Sequence, residues 1–193
     1  YVDLPIRLTK GSEAMGGFDF LLAYDNSLLT FTGASLGTYF ENCGWEYFTY
    51  RYNWNGNCGN ACPSGLVRVV GLAETNNGPN HPICFNPGLV DPPGYPITLA
   101  TLTFFVSNDR TLECMYVPIR FYWMDCGDNT LSSIGGDTLF ISRYVYDFED
   151  AEITDNMYGF PGWMGAPDLC LEGDKTHPVR FLDMMKAGVD LVC

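Results

Sequence analysis

Histidine, basic charge and long apolar runs are all scarce in this 193-residue chain, and each shortage removes a class of function. Only His81 and His177 are present, each followed by proline in a loop-like context, NHPIC and THPVR. No Gly-x-Ser-x-Gly elbow accompanies them, so a Ser-His-Asp hydrolase is unsupported. Phosphate-cradling loops and dinucleotide fingerprints are absent as well. A glycosidase needs two carboxylates about 5 to 9 Å apart. With 23 acidic residues some pair would meet that by chance, so acidic content singles out no such site and no enzyme is expected. Lys and Arg together number 10, which leaves a net charge of −13. That charge repels nucleic acid and an anionic membrane surface. No apolar run approaches the roughly 18 residues of a membrane helix. No leader is visible, because Tyr1 opens directly into strand-like YVDLPIRL; the leader of a secreted form would be removed or lie outside this chain. Heptads, tandem repeats and Asn-x-Ser/Thr acceptors are missing too, so glycan at the standard asparagine motif is not expected.

What is present suits an all-β domain. Hydrophobic residues make up 47%, enough for a real core in one domain spanning 1–193. Aromatics reach 15%, a richness that favours pleated surfaces. With 21 Gly and 12 Pro, turns are many and long helices few. VDLPIRL (2–8) alternates and contains Pro5, which favours an edge strand or a bulge. GGFDFLLAYDNSLLTF (16–31) reads as two paired strands around Asp25-Asn26-Ser27, residues that close a turn with their own side chains. Phe18, Phe20, Leu22 and Tyr24 form its inward face. Leu21 and Ala23 are also apolar and face the other way, toward a partner or beneath the insert that follows. Further strands are expected at 66–74, 97–107, 114–125, 138–146 and 189–192, with a Gly135-Gly136 turn. Short strands between turn residues argue for an antiparallel β-sandwich.

The insert, about 40–96, is rich in Cys, Asn, Gly, Tyr and Trp, and loops of that length are functional, stapled or disordered. There are eight cysteines: Cys43, Cys58, Cys62, Cys84, Cys114, Cys126, Cys170 and Cys193. Their even number points to structural disulfides and an oxidising, extracellular compartment. Local pairs within Cys43–Cys84, and Cys170 with Cys193, are the expected bridges. Zinc is the rival reading, but no paired Cys-x-x-Cys motif supports it.

Two other clusters offer chemistry. Asp125, Asp128 and Asn129 follow a strand, with Asp137 across the next turn, and oxygen ligands around a glycine suit calcium. The EF-hand spacing is missing, and an Asx-rich turn capping backbone amides is the favoured reading. DFEDAEITD (147–155) reads as a solvated acidic loop. In WEYFTYRYNW, the rings of Trp45, Tyr47 and Trp54 could stack on sugars, making carbohydrate the alternative partner. A strand covered on both faces is favoured over a sugar cleft.

Gly17, Phe18, Phe20, Tyr24, Asp25, Leu29 and Phe31 match a pattern that resembles the opening of a cohesin-type domain. ITLATLTFFVSN, DNTLSSIGGDTLFIS and AGVDLV resemble later blocks, so the likeness is scattered over roughly half the chain. The Cys-rich insert departs from the family pattern; cohesin-like domains carrying such an insert occur in bacterial surface proteins. The resemblance implies a jelly-roll-like antiparallel sandwich of about nine strands, to which the cysteines add the expectation of a long disulfide-stapled insert. It also implies a non-catalytic, extracellular protein–protein assembly module, since cohesins bind dockerins through one sheet face. No family contact residue maps onto this sequence. Family members place a strand before the proline-containing one, paired with the closing strand. A chain that opens at Tyr1 would leave the closing strand without that neighbour. A strand from another subunit would fill the gap and build a homo-oligomer or filament. The bland alternative is a trimmed chain.

Overall fold

The computed structural model describes residues 1–11, 15–53, 65–76, 96–123, 128–142, 145–146, 152–153, 179–182, 184–185 and 187–192. Among them are β1 (Val2–Leu8), β2 (Met15–Tyr24), β3 (Leu29–Leu36), α1 (Thr38–Asn42), β4 (Tyr47–Asn53), β5 (Gly65–Leu72) and β6 (Ile97–Val106). There follow a 3-10 turn (Arg110–Leu112), β7 (Tyr116–Phe121), β8 (Thr130–Ser133), β9 (Leu139–Ser142), β10 (Val145–Tyr146), β11 (Glu152–Ile153), β12 (Val179–Leu182) and β13 (Ala187–Asp190). The expected all-β class holds. No helix among the described residues is long and apolar enough to cross a membrane.

Two sheets carry the fold. The smaller runs β1-β6-β3, and the larger runs β12-β9-β8-β2-β5-β4, with β7 and β13 attached beside β2. Pairing is antiparallel except for β12 on β9, a departure from the purely antiparallel expectation. Between the sheets lies the main core. Phe18, Phe20, Leu22, Tyr24, Val67 and Val69 come from the larger sheet, and Ile6, Phe31, Leu99, Leu102 and Phe104 from the smaller. The inward face read from the sequence of β2 is therefore the observed one.

The stretch 16–31 is not a hairpin. β2 pairs with β5, whereas β3 pairs with β6 in the opposite sheet. Asp25–Ser27 forms an arch that carries the chain across the core. Its local chemistry is as expected: the Ser27 N–H and Oγ donate to Asp25 Oδ1 at 2.9 and 2.6 Å. The pairing differs because each strand finds a longer partner elsewhere, eight residues of β2 on β5 against a three-residue turn. Pro5 sits where proline is tolerated. β1 is an edge strand, and its register on β6 shifts between Ile6 and Arg7. The skipped residue is Leu99, so Leu99 and Ala100 are buried in succession.

Glycines of β5 make room for the rings of β2. Phe18 lies opposite Gly71 and Tyr24 opposite Gly65. A Cβ at Gly71 would stand 2.5 Å from the Phe18 ring. That ring is already stacked on Phe20 and Trp45, at centroid distances of 5.3 and 5.9 Å, and has little room to give. Gly71→Ala is expected to lower stability by about 1–3 kcal/mol in urea unfolding; an unchanged midpoint would show that the ring can shift freely. Burial is the main cause that lifts the phenols of Tyr24 and Tyr122 above the usual 10.0. A raised folded pKa means the stabilisation is full below the unfolded value and lost as pH climbs through the folded one. Ultraviolet titration should therefore show these two phenols ionising late, together with unfolding, on the alkaline side of pH 10.

Candidate functional site

Beside β1 the sandwich is open. β1 pairs only with β6, and its outer edge has no partner strand among the described residues. β13 is paired along its length with β7, its one partner strand among the described residues. The closing strand is therefore held by β7, while among the described residues no strand fills its other side, where the sequence led us to expect a missing neighbour. Its continuation is tied down too, since Cys114 N–H donates to Leu191 O at 2.9 Å and Leu191 N–H to Met115 O at 2.8 Å. Among the described residues, no strand fills the far side of β13 or the outer side of β1.

Between them runs a cleft of about 440 Å³. Leu4, Ile6 and Leu8 of β1 line one wall, and Leu182, Met184 and Ala187 the other. Phe20, Leu22, Leu99, Ile119 and Leu131 form the floor, so the cleft opens straight onto the main core. Arg7 and Lys10 stand at its mouth, both exposed. In a chain with 10 basic residues against 23 acidic ones, this is a locally cationic rim. The arrangement holds no nucleophile–base pair. It offers backbone hydrogen bonds along one side and apolar burial beneath.

The outer face of β2 is covered by residues of this chain at Leu21 and Ala23. Leu21 and Ala23 are covered by Tyr122 and Trp123, with Leu66, in a second small core. Leu66 belongs to the 40–96 segment, so part of that segment joins the cover, as one of the two expectations had it. The chain leaving β7 crosses over this face, anchored by Tyr122 N–H donating to Leu21 O at 2.9 Å. Asn129 locks it. Its Oδ1 accepts from Leu21 N–H at 2.9 Å, and its Nδ2 donates to Tyr122 O at 2.7 Å. The residue is fully buried with φ of +58°, a left-handed conformation that asparagine tolerates. The signal in the sequence was Phe121-Tyr122-Trp123, since three successive aromatics cannot all face one side of a strand.

The described residues among those weighed as a calcium cluster are engaged with partners in the protein. Asp128, 1% exposed, pairs with the Arg68 guanidinium, which also reaches Asp19 at 3.4 Å. Asn129 is engaged as just described. Asp137 accepts from Ser133 Oγ at 2.6 Å and closes the β8–β9 turn. Asp125 lies outside the described residues, among which no three His, Cys, Asp or Glu side chains form a metal-holding group.

The sugar-stacking set fares similarly. Trp45 is buried in the core and is not presented for stacking on a sugar, the alternative weighed from the sequence. It closes a Schellman motif after α1: Gly44 has φ of +79°, Trp45 N–H donates to Phe40 O at 3.1 Å, and the two rings meet at 4.6 Å. Tyr47 is exposed on β4, and Trp54 lies outside the described residues. Of the cysteines, Cys43 and Cys114 are described, and both are disulfide-bonded. Their partner sulfurs, the expected bridges and both histidines lie outside the described residues.

Asn129→Ala removes both side-chain bonds and puts alanine in a left-handed conformation. The expected loss is about 2–4 kcal/mol in urea unfolding. Asn129→Gly loses the bonds alone and should be milder by about 1 kcal/mol. Equal stability of Asn129→Ala and the parent would remove Asn129 as the lock of the second core.

No family model matches the sequence, and no curated protein does. Among solved structures, the chain is similar to the third cohesin of ScaC from Acetivibrio cellulolyticus, solved with the ScaB dockerin. The identity is 17% over 67% of this chain and 73% of that one, with a TM-score of 0.47. It is also similar to the OlpA cohesin of Clostridium thermocellum in complex with Doc918, at 17% identity over 94% and 88% of the two chains, TM-score 0.46. A third is the seventh ScaB type I cohesin from Pseudobacteroides cellulosolvens, at 11% identity over 98% and 80%, TM-score 0.46. All three are cohesin modules.

Proposed function

We propose that this chain is a non-catalytic assembly module of an extracellular surface structure, and that its β1 edge and the cleft beneath receive a β-strand from a neighbouring copy. The observation that carries this reading is the coincidence of an open strand edge with an apolar cleft that reaches the core. An incoming strand would hydrogen-bond to β1 and bury alternate side chains in the cleft, each worth about 1.5–3 kcal/mol when fully buried. Such a contact joins unlike surfaces and propagates head to tail into a filament. Charge favours a copy of this chain as donor. The mouth carries Arg7 and Lys10, and the chain is rich in carboxylates that could flank the inserted strand. An oxidising exterior agrees with the disulfide-bonded state of Cys43 and Cys114.

Sedimentation velocity and electron microscopy of the full-length native protein test the reading. Concentration-dependent oligomers or filaments with one repeating subunit are expected. Leu4→Gln, which places an amide on the cleft wall, should abolish them while leaving circular dichroism unchanged. A monomer at every concentration would overturn the proposal. So would hydrogen exchange showing the β1 edge protected in a monomer by another segment of the same polypeptide.

A further inference from the structure

We infer that Pro5 is the specificity-determining residue of this edge, an inference that rests on the strand-addition reading. In an antiparallel ladder, successive residues turn their backbone groups toward the partner strand and away from it. Pro5 lies opposite Thr101 of β6, and it has no N–H to give. The neighbouring Leu4–Leu102 and Ile6–Ala100 pairs therefore hold the bonds to β6, and the Pro5 position faces outward. The same alternation turns Asp3 and Arg7 outward. Leu99, the bulged residue, is on β6, so the alternation along β1 continues through it.

The open edge consequently offers carbonyls at Asp3, Pro5 and Arg7, but N–H groups only at Asp3 and Arg7. Any strand laid against it leaves one of its own carbonyls unmatched at the centre. Edge prolines are a known means of discouraging indiscriminate strand addition. Here the proline stands directly beside the apolar cleft, between Leu4 and Ile6. Backbone pairing is weakened at the point where side-chain burial is available. The edge thus accepts a strand only when large apolar side chains fill the cleft, and rejects one that brings backbone alone.

The test compares four full-length proteins by sedimentation: the parent, Pro5→Val, Leu4→Gln and the double variant. Valine restores the central N–H in a residue suited to strands. Pro5→Val should tighten association by about three- to tenfold, the worth of one regained hydrogen bond. The double variant should recover part of the association that Leu4→Gln abolishes, because pairing no longer depends on the cleft alone. Pro5→Ala provides a second donor-restoring variant should valine perturb the bulge. Unchanged association in Pro5→Val and Pro5→Ala, with Leu4→Gln equally damaging in every background, would overturn the role of Pro5 while leaving strand addition standing. A parent that never associates would overturn both.

Discussion

Strand β2 is enclosed on every side, and the rest of the molecule is arranged around that constraint. One edge is paired with β5 from Gly17 to Tyr24. The other is divided between β8, at Met15–Asp19, and β7, at Leu22–Ala23. Its inner face forms the floor of the main core. Its outer face lies under Tyr122 and Trp123. Strands covered on both faces lose the apolar–polar alternation of half-exposed ones, and β2 shows that loss at Leu21 and Ala23. The same strand also contributes to the candidate site: Phe20 and Leu22 of β2 line the cleft together with Ile119 of β7 and Ala187 of β13.

Free backbone therefore lies at the margins of the sandwich and not at its centre. β1 is held to β6 on one side while its other side meets the cleft. The bulge that skips Leu99 turns two successive residues of β6 inward and places Leu99 in the cleft floor. An irregularity in one ladder thus supplies apolar surface to the neighbouring opening. The second core works in the opposite sense. The Asn129 carboxamide bridges β2 and the segment leaving β7, while Arg68 neutralises the buried Asp128 carboxylate. A buried carboxylate left without its cation would be strongly destabilising, so this pairing fastens the cover on β2.

Local features were legible in the sequence, and long-range choices were not. The alternation at Phe18, Phe20, Leu22 and Tyr24 identified the inward face because period 2 is a local property. Pro5 pointed to an edge or a bulge; β1 is an edge strand, and the bulge in its ladder is carried by Leu99 of β6. The Asp25 turn was read correctly in its chemistry but wrongly in its topology, since an Asx turn closes a hairpin or an arch equally well. Which results depends on β5 and β6, far along the chain. Trp45 left two readings open, a covered position or a sugar-stacking one, because an indole suits a core and a sugar face alike. The true signal was Gly44, which ends α1 and swings the indole onto Phe40. Asp128 and Asn129 resembled ligands because short oxygen-bearing side chains near a glycine suit ions and buried turns alike. Their partners, Arg68 and Leu21, are 60 and 108 residues away.

An acidic chain with an open apolar edge faces two opposed requirements, and their ranges differ. Copies carrying −13 repel one another, but salt at physiological strength screens exposed charges beyond about 8 Å. Apolar burial acts only on contact. The net charge therefore governs approach, whereas the cleft governs what happens after seating. Arg7 and Lys10 soften the repulsion at one place on the surface, so favourable approach is directed at the cleft mouth. Pro5 then weakens the one interaction that any passing strand could make, its backbone ladder. In the strand-addition reading, long-range charge keeps the copies dispersed and the proline withholds generic pairing. What remains is the fit of side chains to a cleft whose floor is the core itself, and that term is the one a sequence can make specific.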